Sequence, residues 1–191
     1  MKRKFADKKN QVLVKIRKPV DQKGAGLLSI LEGTSEQQWI YLPSSKQVRR
    51  FVSTNKQEGV LGSELNPQDL DLNTVKSSSV ELTKKGKVGL IDVSLIEVKS
   101  SANETRYSKA VVWMDQKRNL PLRIEYFGPK GTTLKRIDFQ NYKAFSGVFR
   151  AQKILIRNLE NKRGTDLILS NIKVNSGLTD AAFTQRVLSK D

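Results

Sequence analysis

The 191-residue chain contains neither cysteine nor histidine, which removes thiol nucleophiles, zinc-finger ligands, Ser-His-Asp relays and imidazole acid–base chemistry together. Catalysis would have to run on carboxylates, lysine, tyrosine or a carboxylate-bound metal. The acidic residues are poorly placed for that. Asp69 and Asp71 stand two apart and so point to different faces of a short helix or turn. Asp69 there suits the positive end of a helix capped by Asn66 and opened by Pro67. Glu97, Glu104 and Asp115 are only loosely grouped. No Gly-rich phosphate loop, Gly-x-Ser-x-Gly elbow or calcium loop occurs. The reading is a protein that is not an enzyme, with no cofactor and no metal site.

What remains is binding. The formal net charge is +16, which favours anionic partners: a membrane surface, nucleic acid or acidic proteins. Cations such as Lys15, Arg49, Arg50, Lys109, Arg123, Lys135 and Arg157 are spread over nearly every segment, as on a solvated face. Phe51, Tyr126, Phe127, Phe139, Tyr142 and Phe149 sit beside basic residues. A Lys/Arg-Gly-Phe signature and a Gly-x-x-Gly clamp are both missing, so the nucleic-acid signal is weak. The apolar runs are far too short for a membrane-spanning helix. Met1 to Lys4 resembles the charged start of an export signal, but polar residues follow where an apolar stretch is required. Residues 1–10 are expected to form a basic, mobile end.

These side chains must be carried by strands. Gln11 to Lys18, Gly26 to Glu32, Gln37 to Leu42, Gln47 to Val52, Ser79 to Lys84, Val88 to Lys99, Tyr107 to Asp115, Pro121 to Phe127, Thr132 to Tyr142, Val148 to Asn158 and Thr165 to Asn175 all read as strands. A turn is expected at Lys85-Gly86-Lys87. Short glycine-bearing connections argue for neighbouring antiparallel partners. Helix is expected only between Ser53 and Ser79 and in the tail from Leu178 to Phe183. With no linker and no repeat, the chain reads as one domain over residues 1–191. The fold class is mainly β: a single curved antiparallel sheet forming an open, unclosed barrel, partly covered by short helices.

Several strands are apolar on both faces, as in Tyr107 to Asp115, where Val111 and Trp113 oppose Ala110, Val112 and Met114. Such strands need a helix, a second layer or a ligand on each side. The predicted helices are too small to cover a sheet of this size, so an apolar concavity is expected, suited to acyl chains. Trp39, Tyr41, Leu90, Ile91, Val111, Trp113, Ile124 and Tyr126 are the candidate lining.

The order of the motifs adds a family likeness. Trp39-Ile40-Tyr41-Leu42-Pro43, then Val48-Arg49-Arg50, Leu61-Gly62-Ser63-Glu64-Leu65 and Asp69-Leu70 resemble the LolA-like outer-membrane lipoprotein-sorting family. The likeness continues through Tyr107 to Asp115, where Trp113 and Asp115 close the strand. It extends through Leu120-Pro121-Leu122-Arg123, Gly131 to Lys135 and the terminal Leu178 to Thr184 with Phe183. The motif positions are thus Leu42, Pro43, Arg49, Arg50, Gly62, Ser63, Leu65, Asp69, Asp115, Pro121 and Phe183.

The resemblance implies a periplasmic, non-enzymatic carrier of lipoprotein acyl chains or phospholipid. It also implies an open barrel lined by apolar residues, working alongside an inner-membrane transporter. Family members begin with a signal peptide and further helix and strand before the position of Gln11. That segment is not seen here, which would leave an edge strand open to pairing with a second copy. The alternatives are a polyanion- or nucleic-acid-binding β-protein, and a cargo-free adaptor of a membrane transporter.

Overall fold

The computed structural model describes residues 1–6, 8–18, 20–33, 35–50, 62–64, 78–100 and 107–190. The chain is mainly β, and its strands form two antiparallel sheets, neither closed into a barrel. It divides into two compact units, one of Met1–Lys56 with Asn175–Asp191 and one of Gln57–Val174.

The first unit holds a five-stranded meander of β1 (Lys2–Ala6), β2 (Lys9–Lys15), β3 (Gly26–Glu32), β4 (Ser35–Leu42) and β5 (Gln47–Arg50). Residues 1–10, expected to be mobile, instead supply β1 and the start of β2, with Lys2 opposite Leu13 and Ala6 opposite Lys9. Lys4 and Lys9 lie on one face and both bind the Asp180 carboxylate, Lys9 at 3.1 Å.

Residues directly opposite in an antiparallel pair share a face. The register therefore places Leu13, Leu28, Trp39 and Arg50 in one row, and Gly26, Tyr41 and Val48 in the next. That face packs on the tail. Leu13, Leu28, Phe183 and Leu188 form a buried cluster, with Ile30, Trp39, Tyr41, Val48, Leu178 and Val187 against it. The tail turns at Asp180–Ala182 and ends in a short helix, α1 (Gln185–Ser189), where the Thr184 hydroxyl accepts from the Val187 amide. Gly26 permits the close approach: a Cβ there would stand 2.8 Å from Leu188 Cδ1 and 2.9 Å from the Val14 carbonyl.

The second unit holds a seven-stranded meander. Its strands are β6 (Ser78–Val88), β7 (Ile91–Ser100), β8 (Lys109–Asp115), β9 (Pro121–Phe127), β10 (Thr133–Phe145), β11 (Val148–Asn158) and β12 (Gly164–Ile168), paired in sequence order. The expected turn at Lys85-Gly86-Lys87 lies inside β6, and the chain reverses at Gly89-Leu90 instead. Val88 pairs with Ile91, and Gly89 takes the left-handed φ of +58° that a two-residue hairpin turn requires.

The strands were expected to share one sheet. Among the described residues they form two, with β5 and β6 on either side of residues 51–61 and 65–77. The helix expected from Asn66, together with Phe51, Leu65, Asp69, Asp71 and Glu104, lies outside the described residues.

Candidate functional site

The register of the seven-stranded sheet sorts its side chains into two unlike faces. On one, Leu82 stands opposite Ile96, Ile96 opposite Val112, Val112 opposite Ile124, Ile124 opposite Ile137, and Ile137 opposite Ile156. This is an unbroken aliphatic row over six strands, roughly 24 Å long at the usual strand spacing. A second row beside it runs Val80, Val98, Ala110 and Tyr126, and ends at Lys135. Phe139, Ile154 and Leu167 extend the face on its other flank.

Burial along this face is uneven. Val98, Ile137 and Ile156 are buried, whereas Ile96, Val112, Ile124, Tyr126, Phe139 and Ile154 are only partly so, and Leu82 is 60% exposed. The aliphatic row thus stays half open to solvent. Apolar side chains of this kind retain transfer free energy that a hydrocarbon ligand can satisfy, about 0.8 kcal/mol per buried methylene.

The opposite face is a charged lattice. Lys109 Nζ lies 2.7 Å from Glu97, Arg123 Nε 2.6 Å and Arg136 Nε 3.1 Å from Asp138, and Arg157 2.6 Å from Asp166. The Trp113 indole N–H donates to Glu125 at 3.2 Å, and the Arg123 guanidinium lies 5.8 Å from the Trp113 ring centre. The hydrogen bond from Lys109 holds the Glu97 carboxyl below its ordinary pKa, with Lys99 adding to it against the opposing effect of burial. Much of the basic charge is therefore matched by carboxylates on this face.

The ends of the sheet are fixed by polar contacts. Burial alone would raise the Asp115 carboxyl, but its hydrogen bonds outweigh that and its pKa falls. It accepts from the Arg118 side chain at 2.6 Å and from the Lys117 and Arg118 amides at 2.9 and 3.0 Å. At the β11–β12 hairpin, the Glu64 amide donates to Thr165 Oγ1 at 2.9 Å, and the Glu64 carboxylate accepts from Asn158 at 2.9 Å. Arg163 reaches both Glu64, at 3.4 Å, and the Gly62 carbonyl, at 3.2 Å. The motif Gly62-Ser63-Glu64 is thereby pinned to that hairpin.

The eight candidate lining residues fall in four places. Ile124 and Tyr126 lie on the apolar face of the seven-stranded sheet. Val111 and Trp113 lie on its charged face, opposite Glu125 and Arg123 in register. Leu90 is at the β6–β7 turn and 99% exposed, and Ile91 follows it, half-buried. Trp39 and Tyr41 pack in the first unit against the tail.

Of the motif positions, Phe183 is buried in that tail cluster. Leu42 and Pro43 make the β4–β5 turn through carbonyl acceptors. Arg49 binds Gln47 at 3.1 Å, and the Pro121 carbonyl accepts from the Tyr142 hydroxyl at 2.5 Å. These positions serve turns and anchors. The row residues Ile96, Val112, Ile137 and Ile156 were not singled out from sequence. The signal that finds them is charge parity: in β8 and β9 the charged residues alternate with a wholly uncharged set, and in β7 Glu97 and Lys99 alternate with Ile96 and Val98.

Among the described residues no group of three or more metal-ligating side chains occurs, and no helix is long and apolar enough to cross a membrane.

The mainly-β antiparallel fold, in which neither sheet closes, matches a LolA-like open β-fold. A domain described as an outer membrane lipoprotein-sorting protein, from Vibrio parahaemolyticus, is 29% identical with a TM-score of 0.88, covering 96% of this chain and 79% of that one. A DUF1329 family protein from Desulfovibrio piger is 25% identical with a TM-score of 0.88, covering 96% and 80%. A LolA superfamily protein from Nitrosomonas europaea, at 21% identity and a TM-score of 0.69 over 93% and 77%, shares the fold. No match was found among curated proteins. The chain is LolA-like and belongs to the family whose model, described as "-like: Uncharacterized protein", matches residues 8–190.

Proposed function

We propose that the protein is a non-enzymatic periplasmic carrier. It takes the acyl chains of lipoproteins or of phospholipid onto the apolar face of the seven-stranded sheet and delivers them toward the outer membrane, receiving them from an inner-membrane transporter. The observation that carries this reading is the half-open aliphatic row of Leu82, Ile96, Val112, Ile124, Ile137 and Ile156. A chain of methylenes laid along it leaves water while the charged lattice on the other face keeps the protein soluble. Likeness to a lipoprotein-sorting domain supports the cargo class. The absence of cysteine and histidine, which removes thiol and imidazole chemistry, supports binding over catalysis.

The test is uptake. Delipidated protein, incubated with a fatty acid, a phospholipid and a diacylated lipopeptide, is examined by native mass spectrometry. At least one lipid is expected to stay bound at one or two copies per chain. Ile124→Asp is expected to abolish that adduct, and Trp113→Phe on the opposite face to leave it intact. No adduct with any of the three lipids would remove the carrier reading.

A further inference from the structure

In an antiparallel meander, alternate turns gather at one end. The β6–β7, β8–β9 and β10–β11 turns of the seven-stranded sheet share such an end, and their composition is unlike the rest of that sheet. Leu90 at the first turn is 99% exposed, and Phe149 beside the third is 43% exposed. Around them Lys85, Lys87, Lys117, Arg118, Lys143 and Arg150 are all exposed, against two carboxylates among the described residues, Asp92 and Asp115.

The first two turns are tied together by the Gln116 amide donating to the Asp92 carbonyl at 3.1 Å. A cleft of about 620 Å³ opens between them, lined by Leu90, Ile91 and Arg118 among others. Asp115 fixes the Arg118 side chain and the turn that carries it. Lys87 lies 3.4 Å from Asp92, with both groups well exposed.

The three-turn end has ion pairs of its own, Arg118 with Asp115 at 2.6 Å and Lys87 with Asp92 at 3.4 Å, but it differs from the sheet's charged face in its balance of charge. On that face, cations such as Lys109 and Arg123 lie against carboxylates at 2.6 to 2.7 Å. At the three-turn end, six cations outnumber the acids three to one, and an aliphatic side chain stands beyond them in water. An exposed leucine at the tip of an end rich in cations is what an anionic bilayer receives: the cations lie among phosphate groups and the aliphatic tip enters the acyl boundary.

We propose that this end of the seven-stranded sheet docks on an anionic phospholipid membrane, Leu90 entering the bilayer and Lys87, Lys117 and their neighbours meeting the headgroups. Its purpose rests on the carrier reading, since a lipid carrier must meet a membrane to load or unload, but its chemistry does not. Flotation of the full chain with vesicles tests it, using pure phosphatidylcholine against the same lipid mixed with phosphatidylglycerol, at physiological salt.

Binding is expected only where phosphatidylglycerol is present. Leu90→Ser is expected to lower the partition coefficient roughly tenfold. The pair Lys87→Gln with Lys117→Gln should lower it about 25-fold, from about fivefold per cation near an anionic surface. A charge-matched pair at the opposite end of the same sheet, Lys130→Gln with Lys162→Gln, should change it little. Equal binding to both vesicles, equal loss from the two lysine pairs, or indifference to Leu90→Ser each overturns the proposal. These side chains are exposed, so an unchanged melting temperature verifies the fold of each variant.

Acyl uptake measured on the same proteins separates the two ideas. Uptake retained without vesicle binding sinks the docking end alone. Vesicle binding retained without uptake sinks the carrier reading alone.

Discussion

On the five-stranded sheet, Leu28, Ile30, Trp39, Tyr41 and Val48 lie against Phe183 and Leu188 of the chain's own tail. On the seven-stranded sheet, Ile96, Val112 and Ile124 form an equally apolar row that stays half open. Both faces are built by the same alternation, and they differ in what covers them. The first has used its transfer free energy to hold the tail in place, at Leu28 1% and Leu188 0% exposed. The second leaves part of that free energy unused among the described residues. Covering by the chain stabilises the fold, and incomplete covering leaves a face on which a ligand can gain.

The sharpest way to break this contrast is to remove the cover. Phe183→Ala takes out the largest fully buried side chain among the described residues and is expected to destabilise the first unit by about 3–5 kcal/mol, as large aromatic truncations do. Urea unfolding should show it as a lower midpoint. If Phe183 were a lipid-contacting residue, the same change would instead lower acyl uptake with little loss of stability.

Gly26→Ala probes the same packing from the sheet side. The new Cβ meets a backbone carbonyl at 2.9 Å, which cannot move aside as the end of a side chain can. Overpacking of this kind costs about 1–3 kcal/mol. Thermal unfolding is the measurement, and an unchanged melting temperature would mean that neither β2 nor the tail crowds Gly26.

The seven-stranded sheet is expected to respond in the opposite sense. Ile124→Asp puts a charge into the middle of the half-open row, where water still reaches it, so stability should fall little. Affinity for a fluorescent fatty acid should fall at least tenfold, because a buried carboxylate beside a hydrocarbon chain is strongly disfavoured. Val111→Ser, one strand position away in parity and on the charged face, should leave affinity within about twofold, since it removes no contact with the row.

Parity is also where the sequence was and was not legible. Strand existence, antiparallel order and an unclosed mainly-β fold could be read from short alternating segments and glycine turns, because both signals are local. The face of each strand could not be read as easily. Val111 and Trp113 are large and apolar, yet they share a face with Glu97, Lys109, Arg123 and Glu125. Trp113 is tolerated there because its indole N–H and ring both meet polar partners.

A three-residue error in a turn had a similar effect. With the reversal placed at Gly86, Leu90 reads as a strand residue, whereas a reversal at Gly89 sets it at the tip. The positive φ of Gly89 is what decides between two equally plausible glycines, and no sequence pattern records it. The tie from Gly62-Ser63-Glu64 to the β11–β12 hairpin was equally hidden, since it joins residues about a hundred positions apart.

The smallest expected effect concerns how the cover is latched. Asp180, in the turn of the tail, accepts from Lys4 and Lys9, and these two hydrogen bonds hold its carboxyl below the ordinary aspartate pKa. A group whose pKa is lower in the folded than in the unfolded chain contributes stability above its unfolded value near 4, and loses it as pH falls toward the folded value. The latch should therefore be fully present at neutral pH and weaken progressively below about pH 4. Asp180→Asn should remove that part of the acid dependence while changing neutral stability only slightly, because the pair is exposed and screened by solvent. Protection factors of the Val187 and Leu188 amides, each corrected for the intrinsic exchange rate at its pH, are compared at neutral pH and below about pH 4. In the native chain protection should fall on acidification, and in Asp180→Asn it should start slightly lower and change less. Were the native chain's protection flat across that range, the ion pair would play no part in holding the tail, and packing alone would account for the covered face.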